Sequence, residues 1–529
     1  MSNTIEFTNF RRFQNFPEID LGDITILVGG NNAGKSTLVK AMLLMRDFLK
    51  SRLNSNDINN YNYGLFLPKF SFDTEHVNVG DFYRAFCRQS PATEDTISFK
   101  MRIDKFRFVV ELRGERKPGV IPQVTMIAIS DEESDIHFTF DFSKWEMTVR
   151  FEYDHEALNN DAHILREHKQ QLKALKEKLS KSRDLNEISI LKMGIEQEEK
   201  IINSSKTDTK ISEYEEVTIP MIFFSDKSIG KMLLPELING LSEYAETGTI
   251  GDKRSASYKK QEADKNFLRG KKLEIVKASK ELEEFLNKQN MEYIYAHSVY
   301  QDSVYANCAN SSDYTKRTIH EFYTSRMSKG DDEFKLIEKW LKEFKIGDSL
   351  KVLPYKGDNY SLMIFDKENA EVTKENAKAY PGGIDLADKG MGSIQIVILL
   401  LRIATLISKY KGQQLTVLLE EPEQNLHPAL QSLLAELFKE VHKTYGFKFI
   451  VETHSEYMVR HIQVLTAQHF KDGFEESPFR VIYFTKDEKE PCYDMGFQKN
   501  GKFEREFGPG FFNVADDAAM ELFDLDEED

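Results

Sequence analysis

The sequence predicts an α/β fold whose two halves lie at opposite ends of the chain, with an inserted and mainly helical region between them. Three observations predict it. A β-branched run, Ile24-Thr25-Ile26-Leu27-Val28, ends on Gly29-Gly30 and leads into a helical pattern. Two more apolar runs, Leu415–Leu419 and Phe447–Val451, alternate with helices far down the chain. Between these regions a leucine heptad and long amphipathic stretches replace the strand pattern.

Composition limits the function classes. At 529 residues the chain is long enough for two to four domains. Forty per cent hydrophobic and 30% charged residues give an ordinary soluble profile. The longest apolar stretch, Ile396–Leu401, is six residues, against the roughly 20 that span a bilayer, so no membrane partner is expected. The first residues lack the basic and apolar regions of a signal peptide. Cys87, Cys308 and Cys492 are isolated, which suggests neither a disulfide framework nor zinc and predicts a cytoplasmic protein. A net charge of −16 argues against coating nucleic acid over the whole surface. The basic run between Asp252 and Lys272 reads either as a solvated helix or as a phosphate-contacting patch, which leaves nucleic acid open as a partner.

The first 30 residues read as strand, turn, strand, followed by a helix over Leu38–Leu49 and an Asn-rich loop over Asn54–Asn62. Ile97–Val149 is strand-like. Composition changes after Tyr153: Leu165, Leu172 and Leu179 are heptad-spaced, and Ile188, Leu191, Ile195 and Ile202 repeat the spacing after a break. This predicts an antiparallel coiled-coil hairpin, with a helix pair packed on the body as the alternative. Residues 225 to 345 read as mostly helical, interrupted at Tyr293-Ile294-Tyr295-Ala296. The predicted domains are an N-terminal lobe (1–153), the hairpin (154–210), a helical insertion (211–345) and a C-terminal lobe (346–529) that ends in an acidic tail.

Gly29-Gly30-Asn31-Asn32-Ala33-Gly34-Lys35-Ser36 fits G-x-x-x-x-G-K-[ST], with a strand leading in and a helix leading out. Its glycines let the backbone curl so that successive amides, Asn31, Asn32 and Ala33 among them, face phosphate oxygens. The opening helix adds its positive end at Lys35, Ser36 and Thr37. Lys35 supplies a point charge and the Ser36 hydroxyl is placed to ligate Mg²⁺.

Leu415–Leu419 stops on Glu420-Glu421-Pro422. Parallel strands present ligands at their carboxyl ends, so we assign Glu420 to the metal and Glu421 to the base that activates water. Asn425-Leu426-His427-Pro428 is compatible with a loop at a dimer seam or with a structural turn. The second run ends at Glu452-Thr453-His454-Ser455, where a neutral His454 would bond a γ-phosphate oxygen or the attacking water. Gly390-Met391-Gly392-Ser393 before an apolar helix is a second anion nest. Since one phosphate loop is already present, this nest makes sense as a cover for the nucleotide of a partner chain.

The order of phosphate loop, long insertion, Gly-Ser-Gln turn, Leu-Leu-Glu-Glu-Pro-Glu and Thr-His-Ser resembles the ABC-type ATPases of the SMC and overcoming-lysogenisation-defect group. Residues 1 to 50 and 380 to 460 carry the resemblance closely, and the middle carries it in outline. It implies an ATPase head using ATP and Mg²⁺ and closing as a homodimer or higher oligomer. It also implies that Arg11, within Asn9-Phe10-Arg11-Arg12-Phe13, approaches the nucleotide, and that Gly390, Gly392, Ser393 and Gln395 bind it from the partner. The turn is not Leu-Ser-Gly-Gly-Gln, and Glu420 replaces the commoner Asp, as in the overcoming-lysogenisation subgroup. Only 75 residues follow His454, without the strand-end acids of a TOPRIM nuclease, so no nuclease activity is expected. What remains is similar to stand-alone antiphage-defence ATPases of the Septu, PARIS and retron systems, which control a separate nuclease or toxin. A DNA-clamping repair ATPase and an ATP-bound scaffold with little turnover are the alternatives.

Overall fold

The computed structural model describes residues 3–51, 70–152, 214–221, 234–295, 302–366 and 383–508 apart from 92, 250 and 312, with parts of 173–195 and 511–520. The chain opens with three strands where the sequence suggested two: β1 (Asn3–Phe10), β2 (Phe13–Leu21) and β3 (Ile24–Gly29). β2 escapes a period-two search because exposed pairs separate its buried residues Phe13, Phe16 and Ile19, and the β1–β2 register shifts between Ile5 and Phe7. Such an irregularity breaks the alternation that marks a strand.

β1 and β2 belong to an antiparallel sheet with β4 (Thr96–Ile103), β5 (Phe106–Arg113), β6 (Gln123–Asp131), β7 (Ile136–Asp141), β8 (Glu146–Glu152) and β9 (Tyr214–Pro220). Its order is β2-β1-β4-β5-β6-β7-β8-β9. Alternate residues such as Phe106, Phe108, Val110 and Leu112 are buried, as expected of a sheet with one covered face. That face packs on helices α1 (Lys35–Ser51), α2 (Leu234–Glu246), α3 (Ala256–Gly270) and α4 (Lys272–Lys288). Phe285 of α4 meets Phe106 at 4.8 Å between ring centroids, and Phe267 of α3 meets Phe151 at 5.6 Å.

The basic run between Asp252 and Lys272 falls largely on α3. Lys265 is buried there and donates to the Thr247 and Gly248 carbonyls at 3.2 and 2.9 Å. Lys253, Arg254, Lys259 and Lys260 are exposed.

β3 leaves the first sheet and enters a second, ordered β10-β14-β15-β3-β16-β17. Its partners are β10 (Asn290–Ile294), β14 (Leu415–Glu420), β15 (Lys448–Glu452), β16 (Phe479–Phe484) and β17 (Cys492–Asp494). All pairs are parallel except β16–β17. The break seen at Tyr293 in the helical insertion is therefore an edge strand of this sheet. Helices α5 (Tyr314–Thr324) and α6 (Asp332–Glu343) and the small sheet β11 (Ser349–Pro354), β12 (Tyr360–Phe365) and β13 (Ile384–Asp385) follow.

Helix α7 (Met391–Lys409) is the centre of the second core. It is long and apolar enough to cross a membrane, yet 78% of its most apolar window is buried inside the protein. Its buried Arg402 pairs with Glu292 of β10 at 3.0 Å and with Glu321 of α5, which ties three elements together. α8 (Pro428–Tyr445) packs on β15 and β3, and α9 (Glu456–Lys471) packs on α8.

Most of the expected hairpin, the Asn-rich loop and the acidic tail lie outside the described residues. Of the hairpin's described residues, Leu191 is buried, and a Cβ at Gly194 would lie 3.5 Å from Leu175 Cδ1. The two heptad segments thus touch.

Candidate active site

β3 is buried along its whole length and delivers the chain to the phosphate loop at its carboxyl end. Gly29 sits at φ 144° and Gly34 at φ 109°, a region that L side chains rarely enter. Space is closed as well: a Cβ at Gly29 would be 2.5 Å from the Phe484 carbonyl, and one at Gly34 would be 2.2 Å from the Phe13 ring. The loop is therefore clamped between β16 and the start of β2. Asn31 and Asn32 are exposed, Ala33 is buried, and Thr37 N donates to Gly34 O at 2.9 Å. Lys35 Nζ folds back to donate to Gly29 O at 2.9 Å and Gly30 O at 3.3 Å. Burial lowers the Lys35 pKa, while Glu452, Glu421 and Glu423 oppose the loss of its proton.

A cleft of about 890 Å³ opens over Lys35, Ser36 and Thr37 and runs to Arg11, Arg84 and Lys486. Arg11, at φ 57°, lines it and donates its backbone N–H to Ala85 O at 2.6 Å. Burial, then the neighbouring Arg84, lowers the Arg11 pKa. Backbone amides of a helix start combined with several cations suit a polyanionic ligand.

Glu420 closes β14 beside Tyr293 of β10, whose phenol is pushed up by burial and then by the Glu420 charge. Glu421 has φ 41° and donates its N–H to Glu452 O at 2.7 Å. One of its carboxylate oxygens accepts from Gln424 Nε2, and the other lies 3.7 Å from His454 Nε2. Burial, then Lys35, lowers the His454 pKa, while Glu421 opposes the shift. The ring is thereby biased towards the neutral form. His454 N donates to Glu423 Oε1 at 2.7 Å, which locks the two strand ends together.

Glu452 is the residue to which the motif reading gave no role. Only 5% exposed, it accepts from Ser36 Oγ at 2.9 Å and lies 3.9 Å from Lys35 Nζ, while its second oxygen has no hydrogen-bond partner among the described residues. Burial pushes its carboxyl up to about 7, against the pull of Lys35 and Ser36. The signal was available: Phe447–Val451 stops on an acid as Leu415–Leu419 does, on the neighbouring parallel strand. Oxygen donors of this kind fit a hard divalent cation. The Ser36 hydroxyl and the unpaired Glu452 oxygen are the local observations that match one.

The Gly390 turn is built differently from the expectation. Gly390 is the N-cap of α7, and Gly392 and Ser393 are already in the helix. A Cβ at Gly392 would lie 2.6 Å from the Asn425 carbonyl. Gln395 was expected at the nucleotide, but it is buried. It donates to Pro422 O at 3.2 Å and accepts from Asn425 Nδ2 at 3.3 Å. Its amide is committed to the chain's own acidic turn. None of Gly390, Gly392, Ser393 and Gln395 lines the Lys35 cleft. His427 caps α8, its Nδ1 accepting from Ala429 N at 3.3 Å.

No curated protein sequence matches the chain. Among solved structures it is similar to the Smc head domain with an extended coiled coil bound to the C-terminal domain of ScpA derived from Pyrococcus furiosus. The identity is 12% and the TM-score 0.33, covering 93% of this chain and 95% of that one. It is also similar to an SmcHead bound to the C-winged helix domain of ScpA, at 10% identity and TM-score 0.34, with 94% and 98% covered. A family model described as AAA ATPase domain matches residues 1–459, and the chain belongs to that family.

Proposed function

We propose that the protein binds ATP with Mg²⁺ and hydrolyses it slowly, as the cytoplasmic regulatory subunit of a bacterial antiphage-defence complex. The observation that carries the hydrolytic part is the Glu421–His454 pair, held at 3.7 Å beside a phosphate loop whose Lys35 is buried. The phosphate-loop amides and Lys35 bind the β- and γ-phosphates. Ser36 and a strand-end carboxylate, Glu420 in the motif-based assignment, would hold Mg²⁺, which neutralises charge developing on the phosphates. Glu421, one oxygen already engaged by Gln424, uses the other to orient water and take its proton. His454, biased neutral, can hydrogen-bond the attacking water or a γ-phosphate oxygen.

Because the Gly390–Ser393 turn does not line the Lys35 cleft of its own chain, a second copy completes the site in this reading. ATP-dependent dimerisation then controls a separate nuclease or toxin, and the chain has no nuclease activity of its own. Motif order supports the defence assignment. The exposed Lys253, Arg254, Lys259 and Lys260 favour one second reading, an ATPase that clamps DNA.

Steady-state ATP hydrolysis by wild type and Glu421→Gln tests the proposal, alone and with the operon neighbour. Turnover abolished in Glu421→Gln with ATP still bound supports it. Equal, near-background rates in both would sink the catalytic assignment and favour a scaffold. Tight, salt-sensitive duplex binding by the isolated chain would favour the clamp.

A further inference from the structure

Two strand-end carboxylates stand side by side, and among the described residues it is Glu452 that makes a hydrogen bond to the phosphate loop, through Ser36. β15 lies between β14 and β3, with Glu420 paired to Glu452 and Glu452 paired to Leu27. Neighbouring strands are about 4.8 Å apart, so Glu420 starts roughly 10 Å from β3 and Glu452 about half that distance. The contacts follow this spacing. Ser36 Oγ donates to Glu452 Oε1 at 2.9 Å, and Glu452 lines the cleft over the phosphate loop. Glu420 is not among the residues lining that cleft; Tyr293 of β10 stands beside it.

Two details give the Glu452 side chain a direction. A serine hydroxyl has one proton and two lone pairs. With its proton donated to Glu452, Ser36 is left presenting lone pairs, which is the orientation a cation needs. The second Glu452 oxygen is buried and has no partner among the described residues, although leaving a buried acceptor unmet is unfavourable. A cation, or a water bound to one, would meet that need.

We propose that Glu452, rather than Glu420, is the carboxylate that serves the nucleotide's divalent cation, fixing the Ser36 hydroxyl as an electron-pair donor and offering its own free oxygen to the cation or its bound water. This rests on the ATP–Mg²⁺ reading above. Glu420 then acts from one strand away, as part of the charge surrounding Glu452.

The test uses the full chain with Mn²⁺ as the probe, protein in excess over ATP, and protein-bound Mn²⁺ counted by electron paramagnetic resonance. ATP affinity is measured separately in EDTA. Glu452→Gln is expected to weaken Mn²⁺ binding to the protein–ATP complex by about 10- to 100-fold, with metal-free ATP affinity and melting temperature retained. Glu452→Asp should recover part of the loss, and Glu420→Gln should keep most of the Mn²⁺ affinity. Wild-type Mn²⁺ affinity in Glu452→Gln, or a loss confined to Glu420→Gln, overturns the assignment. Wild-type protein that binds no ATP with or without metal overturns the nucleotide reading itself and this inference with it. ATP binding in EDTA separates the two failures.

Discussion

Gln395, in the second turn of α7, donates to the Pro422 carbonyl, one residue beyond Glu421. The same side chain accepts from Asn425, so one buried amide fixes both ends of the acidic turn to the helix that begins at Gly390. Gln395→Ala is expected to lower kcat at least tenfold, about 1.4 kcal/mol in barrier, with ATP affinity little changed. Stopped-assay rates alongside equilibrium nucleotide binding would read this split. A rise in KM with unchanged kcat would show that the contact does not position Glu421.

Gly34 leaves no freedom. Its φ of 109° opposes substitution, and so does the Phe13 ring, which would lie 2.2 Å from an added Cβ. Gly34→Ala should cost roughly 1–3 kcal/mol in stability from backbone strain and lose ATP binding. Thermal melts with and without ATP would show a lower midpoint and no ligand-induced shift. Phe13→Ala in the same background removes the clash but not the strain, and should restore only part of the stability.

Glu292 provides a pH-dependent term. Burial alone would raise its carboxyl, but the Tyr410 hydroxyl, Arg402 and Lys409 hold it down to about 2. A depressed carboxylate contributes stability that is full above its unfolded pKa, near 4.5, and is lost as pH falls from there towards 2. The expected contribution is on the order of 3 kcal/mol. Glu292→Gln should melt earlier at pH 7 and show a flatter decline in midpoint between about pH 5 and pH 3 than wild type. An unchanged slope would show that other carboxylates carry the acid sensitivity.

The run of lysines in α3 divides by burial. Lys265 donates to the Thr247 and Gly248 carbonyls, so Lys265→Met should destabilise by about 1–3 kcal/mol without altering any binding to polyanions. A Lys259→Glu, Lys260→Glu pair should leave the melt unchanged. If duplex DNA binds here, that pair alone should weaken binding and reduce its salt dependence, measurable by fluorescence anisotropy across a salt series.

What could be read from the sequence depended on how local its cause was. The Gly29–Ser36 loop, the two apolar runs ending at Glu420 and Glu452, and helix α7 are local patterns, and the structure places each as a loop, strand or helix. β2 was hidden because Phe13, Phe16 and Ile19 follow a broken register. The role of β10 was hidden because Asn290–Ile294 is five residues long and pairs with Leu415–Leu419 more than a hundred residues away. Gln395 sits in a motif that suggests a ligand, yet its partners lie in a turn that sequence order does not bring near. Glu452 shows the converse: its chemistry was in plain view beside Thr453 and His454, and only the pairing of β15 with β3 brings it to Ser36.

The strand order carries a consequence for how the protein is made. β3 ends at residue 29, but both of its neighbours, β15 and β16, begin after residue 447. A ribosome working at roughly 5–20 residues per second leaves that strand without partners for about 20 to 80 seconds. Nascent chains stalled before Lys448 should thus fail to retain ATP, whereas release past Phe484 should confer it. ATP binding would then report that both ends of the chain have met.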